Sequence, residues 1–125
     1  MIRGIGVDLV EIALMAAAYS RHGDRLVKRI CTPNEIAQMN PDKDVSSKLA
    51  AIFGVKEAVM KALGTGMRGV GWQEIDTSGA SAGGVDALLC RRALDVARRL
   101  GVSQYSFSVT VAGDIVLTAA VLSGD

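Results

Sequence analysis

The chain has 125 residues, half of them hydrophobic and 22% charged, and its 14 Lys and Arg against 13 Asp and Glu leave a net charge of +1. That length suits a single domain over residues 1–125 with a real core, and the apolar share excludes a disordered chain. The near-neutral balance names no partner, the 4% aromatics exclude a stacking surface for single-stranded nucleic acid, and no apolar run reaches membrane-spanning length.

The N-terminus lacks the basic, apolar, small-residue order of a signal peptide. Residues Ile2 to Glu11, "IRGIGVDLVE", alternate in part, are β-branched and predict a buried strand. Ile12 to Tyr19 predicts a helix that stops near "RHGD", and Asp24 to Ile30 a second short one. "TPNE" at 32–35 has the form of a capping box, with Pro33 at the first helical position, and opens a third. "NPDKD" at 40–44 is a loop. Ser46 or Ser47 caps a long helix that runs to Leu63, where Gly64 ends it.

In the second half, Trp72 to Thr77 predicts a strand and "GASAGG" at 79–84 a flexible turn. "VDALLCRRALDVARRLG" predicts one amphipathic helix ended by Gly101. "QYSFSVTVA" and "DIVLTAAVL" are strands joined by the turn Gly113-Asp114. The order strand, helices, strand, helix, hairpin predicts an α+β fold with helices packed on a small, mostly antiparallel sheet. Cys31 and Cys90 fit no metal or redox spacing, and two buried thiols in a reducing cytoplasm are expected.

The chemistry concentrates in "FGVKEAVMKALGTG", residues 53–66. At about 100° per residue, Val45, Leu49, Ile52, Phe53, Met60 and Leu63 share one arc, and Lys56 falls near its middle. An unpaired buried ammonium is costly, so Lys56 either snorkels to water or faces a polar cavity. Glu57 and Lys61 lie on the rim one turn apart, which also suits an ordinary surface ion pair. Asp8 is disfavoured in its strand and shares a face with Gly6 and Val10, so it is either a ligand-site aspartate or a strand-end one. Together Asp8 and Glu57 offer two hard oxygens of the kind that hold Mg²⁺ beside waters and phosphate. Lys56 and Lys61 would flank that phosphate, and backbone N–H groups of Gly64, Thr65 and Gly66 could approach it.

Other nucleotide motifs fail. "GIGVDL" has Leu9 in place of a third glycine, and "GTGMRG" follows a helix where a dinucleotide fingerprint follows a strand. His22 is the only histidine and suits a solvated or structural turn, so no Ser/His/Asp or Cys/His nucleophile is expected.

"GIGVDLVEI" followed by "FGVKEAVMKALGTG" resembles the holo-[acyl-carrier-protein] synthases, the small 4′-phosphopantetheinyl transferases, whose pattern is G-x-D and then (F/W)-x-x-K-E-A-x-x-K. "GDRLVKRICTPNE" matches the segment between the two motifs. The resemblance covers nearly the whole chain and is strongest over residues 1–76. It implies transfer of the phosphopantetheine arm of coenzyme A to a serine of an acyl carrier protein, with release of 3′,5′-ADP. It implies Asp8 and Glu57 as ligands of Mg²⁺, Glu57 as an aid to deprotonating the serine, Lys61 on the leaving phosphate, and Lys56 as added charge. It also implies a homotrimer with sites at subunit interfaces. The basic cluster Arg21, Arg25, Lys28 and Arg29 is either a solvated helix face or the docking surface for an acidic carrier.

The chain departs from the family at four places. Leu14 and Ile52 stand where arginines are usual, Val111 where a His or Asp is common, and "GASAGG" where a G-K-P stretch is common. A silent homologue that binds carrier protein or supports a larger complex is therefore the alternative to a catalyst.

Overall fold

The computed structural model describes residues 1–66, 68–79 and 83–125. Its elements are β1 (Ile2–Glu11), α1 (Ile12–His22), α2 (Asp24–Ile30), α3 (Pro33–Ala37), α4 (Val45–Leu63), a 3₁₀ turn (Trp72–Glu74), α5 (Val85–Leu88), α6 (Arg91–Arg99), β2 (Gln104–Ala112) and β3 (Ile115–Ser123). The fold is α+β, with an antiparallel sheet in the order β1-β3-β2. Among the described residues, no helix is long and apolar enough to cross a membrane.

Small residues decide how the sheet meets α4. A Cβ at Gly6 would collide with the carbonyl of Ala58, and one at Gly4 with that of Ala62. A Cβ at Gly54 would press on Thr118 and Val10. Glycine at these three positions lets β1 and β3 lie directly against the α4 backbone. Thr118 Oγ1 then donates to the carbonyl of Gly54 at 2.7 Å and stands 3.4 Å from that of Asp8, tying the three elements together. The core lies on this side of the sheet, with Leu49, Ala58, Val59, Met60, Val116 and Leu122 inaccessible to solvent.

The other side of the sheet is bare, so β1, expected as a buried strand, is buried on one face only. Ile5, Val7 and Leu9 are 60%, 50% and 65% exposed. They pair with Val121, Ala119 and Leu117 of β3, so one continuous apolar face points outward.

Four local expectations change. The first helix continues past Tyr19 to His22, and Gly23, at φ 54°, turns the chain. The α4 cap is Asp44, whose carboxylate accepts from the Ser47 amide, rather than either serine. The stretch 72–77 is a 3₁₀ turn followed by a single bridge between Ile75 and Leu89. The expected helix from Val85 to Gly101 breaks at Leu89–Cys90.

One buried side chain explains the last two changes. Glu74 accepts from the amides of Gly71, Arg92 and Ala93, so it caps α6 from another segment and bends its own. Burial raises the Glu74 pKa, but these hydrogen bonds and the Arg92 charge outweigh it and hold the carboxyl below its ordinary value. Cys90 is exposed at this break, contrary to expectation. Cys31 is buried, and burial, aided by the Glu35 charge, pushes its thiol up to about 11, which makes it inert. Of the expected turn at 79–84, residues 80–82 lie outside the described residues.

Candidate active site on β1 and α4

Asp8 follows Gly6 on the face of β1 that meets α4, and Val10 follows Asp8. Because Gly6 abuts Ala58 and Val10 abuts Gly54, Asp8 lies opposite the turn of α4 that carries Glu57. Lys61 confirms the placement: its Nζ donates to Asp8 Oδ1 and to the carbonyl of Val7, both at 2.9 Å. The pair is open to water, with Lys61 52% and Asp8 16% exposed, so it adds little to stability. The Glu57–Lys61 ion pair, the ordinary alternative for these two charges, does not form among the described residues. Glu57 Oε1 instead accepts from the indole Nε1 of Trp72 at 3.1 Å.

Each carboxylate thus has one oxygen engaged by the protein. Among the described residues nothing donates to Glu57 Oε2 or Asp8 Oδ2. Two half-buried carboxylates with free, hard oxygens suit Mg²⁺, which keeps several waters and takes the rest of its shell from phosphate. The described residues contain no group of three His, Cys, Asp or Glu that would form an all-protein cage. The donor set therefore fits a magnesium ion completed by a phosphate-bearing substrate. Lys61 spends two of its three N–H groups on the protein and keeps one to offer that phosphate.

Lys56 is elsewhere. It is 0% exposed, and its ammonium is held by Glu35 Oε1 at 2.7 Å, the carbonyl of Ile30 at 2.6 Å and that of Trp72 at 2.9 Å. Burial lowers its pKa, and the Glu35 carboxylate opposes that shift. Lys56 neither snorkels nor reaches a phosphate; three acceptors fill its three donors inside the core. The rotation count placed it correctly, but the partner that makes burial possible comes from the capping box. Glu35 also accepts from the Thr32 amide and, through Oε2, from the amide and hydroxyl of Thr77. Nothing in the local pattern distinguishes Glu35 from an ordinary capping glutamate, and so its role was missed.

The glycine turn is also partly committed. Gly64 adopts φ 77° and its N–H bonds to the carbonyl of Lys61, while the Thr65 N–H bonds to that of Met60. These two amides close α4 and cannot also take an anion in this conformation. Gly66 N–H is not used in this closure.

The expected basic cluster gathers at the α1–α2 end. Arg25, Lys28 and Arg29 share one exposed face of α2, and exposed Arg21 is in the last turn of α1. His22, Arg25, Leu26, Arg29 and Trp72 line a cavity of about 370 Å³ there. Trp72 therefore stands between this basic end and Glu57.

The chain matches the model of the 4′-phosphopantetheinyl transferase superfamily over residues 4–120. It belongs to that family. Holo-[acyl-carrier-protein] synthase of Solibacter usitatus is 41% identical, over 88% of this chain and 89% of the relative. That of Desulforudis audaxviator is 37% identical over 99% and 95%. Among solved structures, the holo-[acyl-carrier-protein] synthase of Neisseria meningitidis superposes with a TM-score of 0.81 at 30% identity, over 98% of this chain and 99% of that one. The Helicobacter pylori enzyme in complex with coenzyme A gives 0.73 at 25%, over 95% and 99%.

Three of the departures from the family's usual residues take on meaning in this fold. Ile52 is 4% exposed and packs in the core between α4 and α2, so it lends no charge to a ligand. Leu14 is 65% exposed and Val111 58%, which leaves those two departures on the surface.

Proposed function

We infer that this chain is a phosphopantetheinyl transferase that moves the arm of coenzyme A onto a serine of an acyl carrier protein and releases 3′,5′-ADP. The observation that carries the reading is the Lys61–Asp8 contact that joins β1 to α4 one turn from Glu57, within a fold shared with holo-[acyl-carrier-protein] synthases. Asp8 and Glu57 would hold Mg²⁺ through their free oxygens, and the ion would neutralise charge on the coenzyme A pyrophosphate. Glu57, directly or through a water, would help take the proton of the carrier serine. Lys61 offers its remaining N–H to the leaving phosphate. No protein nucleophile is required, because this chemistry depends on positioning and charge neutralisation.

Arg21, Arg25, Lys28 and Arg29 form the surface for an acidic carrier, at the end of the molecule from which Trp72 reaches Glu57. Two unbridged thiols suit a reducing cytoplasm.

The bare sheet face is the subunit interface of a homotrimer. A contiguous apolar patch of this kind marks an interaction site, and Ile5, Val7 and Leu9 belong to the strand that carries Asp8. Leu9→Asp is expected to shift the chain from trimer to monomer, as read by light scattering behind size exclusion. A wild-type monomer, or a trimer unaffected by that charge, would contradict the assignment.

A silent homologue is separated from a catalyst by thermal unfolding. Coenzyme A at 100 times its dissociation constant is expected to stabilise the chain by about 2.7 kcal/mol, with the full effect only when Mg²⁺ is present. A chain that coenzyme A does not stabilise, with or without Mg²⁺, is the silent homologue.

A further inference from the structure

We propose that Trp72 is a positioning residue for Glu57, fixing the metal-binding carboxylate through its indole N–H. The proposal rests on the reading of Glu57 as a magnesium ligand. Its evidence is how completely the structure determines the place of one half-buried ring. Lys56 donates to the Trp72 carbonyl from inside the core, and Glu35 compensates that lysine's charge. Gln73, the next residue, donates through Nε2 to the carbonyls of Cys31 at 2.6 Å and Lys28 at 2.8 Å, which pins the segment to the end of α2. The ring itself packs on Phe53 with centroids 5.7 Å apart, and the Arg29 guanidinium lies 5.8 Å from its centroid.

What all this holding delivers is one hydrogen bond, from Nε1 to Glu57 Oε1. Without that bond, a carboxylate on a half-buried helix rim has more freedom about its last torsions. With Oε1 taken, Oε2 is the oxygen left to ligate metal or receive a proton. Partners behind a metal ligand typically change affinity or activity by about 10- to 100-fold when removed. The buried Lys56 thereby acquires a purpose: it sits next to Glu57 in sequence and secures the residue that orients it.

The test uses the full chain and Mn²⁺ alone as the probe, followed by electron paramagnetic resonance, together with steady-state kinetics. Trp72→Phe keeps a ring beside Phe53 and Arg29 and removes the N–H. Expected are Mn²⁺ binding about 10-fold weaker, a lower kcat, and an unchanged KM for the carrier. Wild-type Mn²⁺ affinity and kcat in that variant would overturn the proposal. Trp72 is the only tryptophan, so wild-type emission gives a second readout that needs no Trp72 variant to fold. Mg²⁺ is expected to change it, and Glu57→Gln to abolish the change; constant emission in a wild-type chain that binds Mn²⁺ would count against the proposal. Glu57→Gln that binds Mn²⁺ like wild type overturns the metal reading itself, whereas loss there with none in Trp72→Phe overturns the Trp72 role alone.

Discussion

Glu57→Gln is expected to lower kcat for phosphopantetheine transfer by about 10²- to 10³-fold or more, the scale of losing one preorganised electrostatic group, and to weaken metal binding. The substitution keeps the volume and retains an acceptor for the Trp72 indole. It removes the negative charge that would hold the ion and the basicity that would take the serine proton. Because Glu57 lies on the half-buried rim of α4 and has no ion-pair partner among the described residues, the unfolding midpoint should barely move. Activity and stability should therefore separate cleanly. Steady-state rates measured beside thermal unfolding check this, and full activity would refute the assignment of Glu57.

Lys56→Met should behave in the opposite way at the level of stability. The substitution leaves Glu35, 1% exposed, as an uncompensated buried carboxylate. Breaking such a pair typically costs about 3–5 kcal/mol. For a chain of this size that should lower the unfolding midpoint by roughly 10 °C or more. Two carbonyls, of Ile30 and Trp72, lose their donor as well. Combining it with Glu35→Leu should recover part of the loss, since an apolar pair of similar volume removes the lone charge, although the Thr77 and Thr32 groups that Glu35 satisfies then stand unpaired. Denaturant unfolding of both single variants and the double variant measures the coupling. A Lys56→Met chain as stable as wild type would mean that the ammonium is not held in the core.

The elements that were legible in the sequence are those with a local cause. The Thr32 capping box forms as its spacing dictates, Gly64 ends α4 in the left-handed region, and Gly113 turns the hairpin at φ 58°. Asp8 and Glu57 stood out because a charge in an apolar strand and a motif on a helix rim both demand a reason, and the structure gives Asp8 to Lys61 and Glu57 to the Trp72 indole. What the sequence concealed depends on contacts across the chain. Glu74 looks like any polar residue in a strand until it captures the α6 amides, and this turns one expected helix into two. Lys56 looked like a phosphate ligand because periodicity reports a direction and not a partner, and Glu35 is 21 residues away by its number. The Gly64 and Thr65 amides looked available to an anion until the closure of α4 used them.

The central claim is that Asp8, Glu57 and Lys61 form the site of a working transferase. The most direct measurement mixes the wild-type chain with an apo acyl carrier protein, coenzyme A and Mg²⁺ and follows the carrier by intact mass. The predicted result is a carrier heavier by one phosphopantetheine arm on its serine, formed only when coenzyme A and Mg²⁺ are both present. Carriers from fatty acid, polyketide and peptide synthesis that all remain at their apo mass would contradict it.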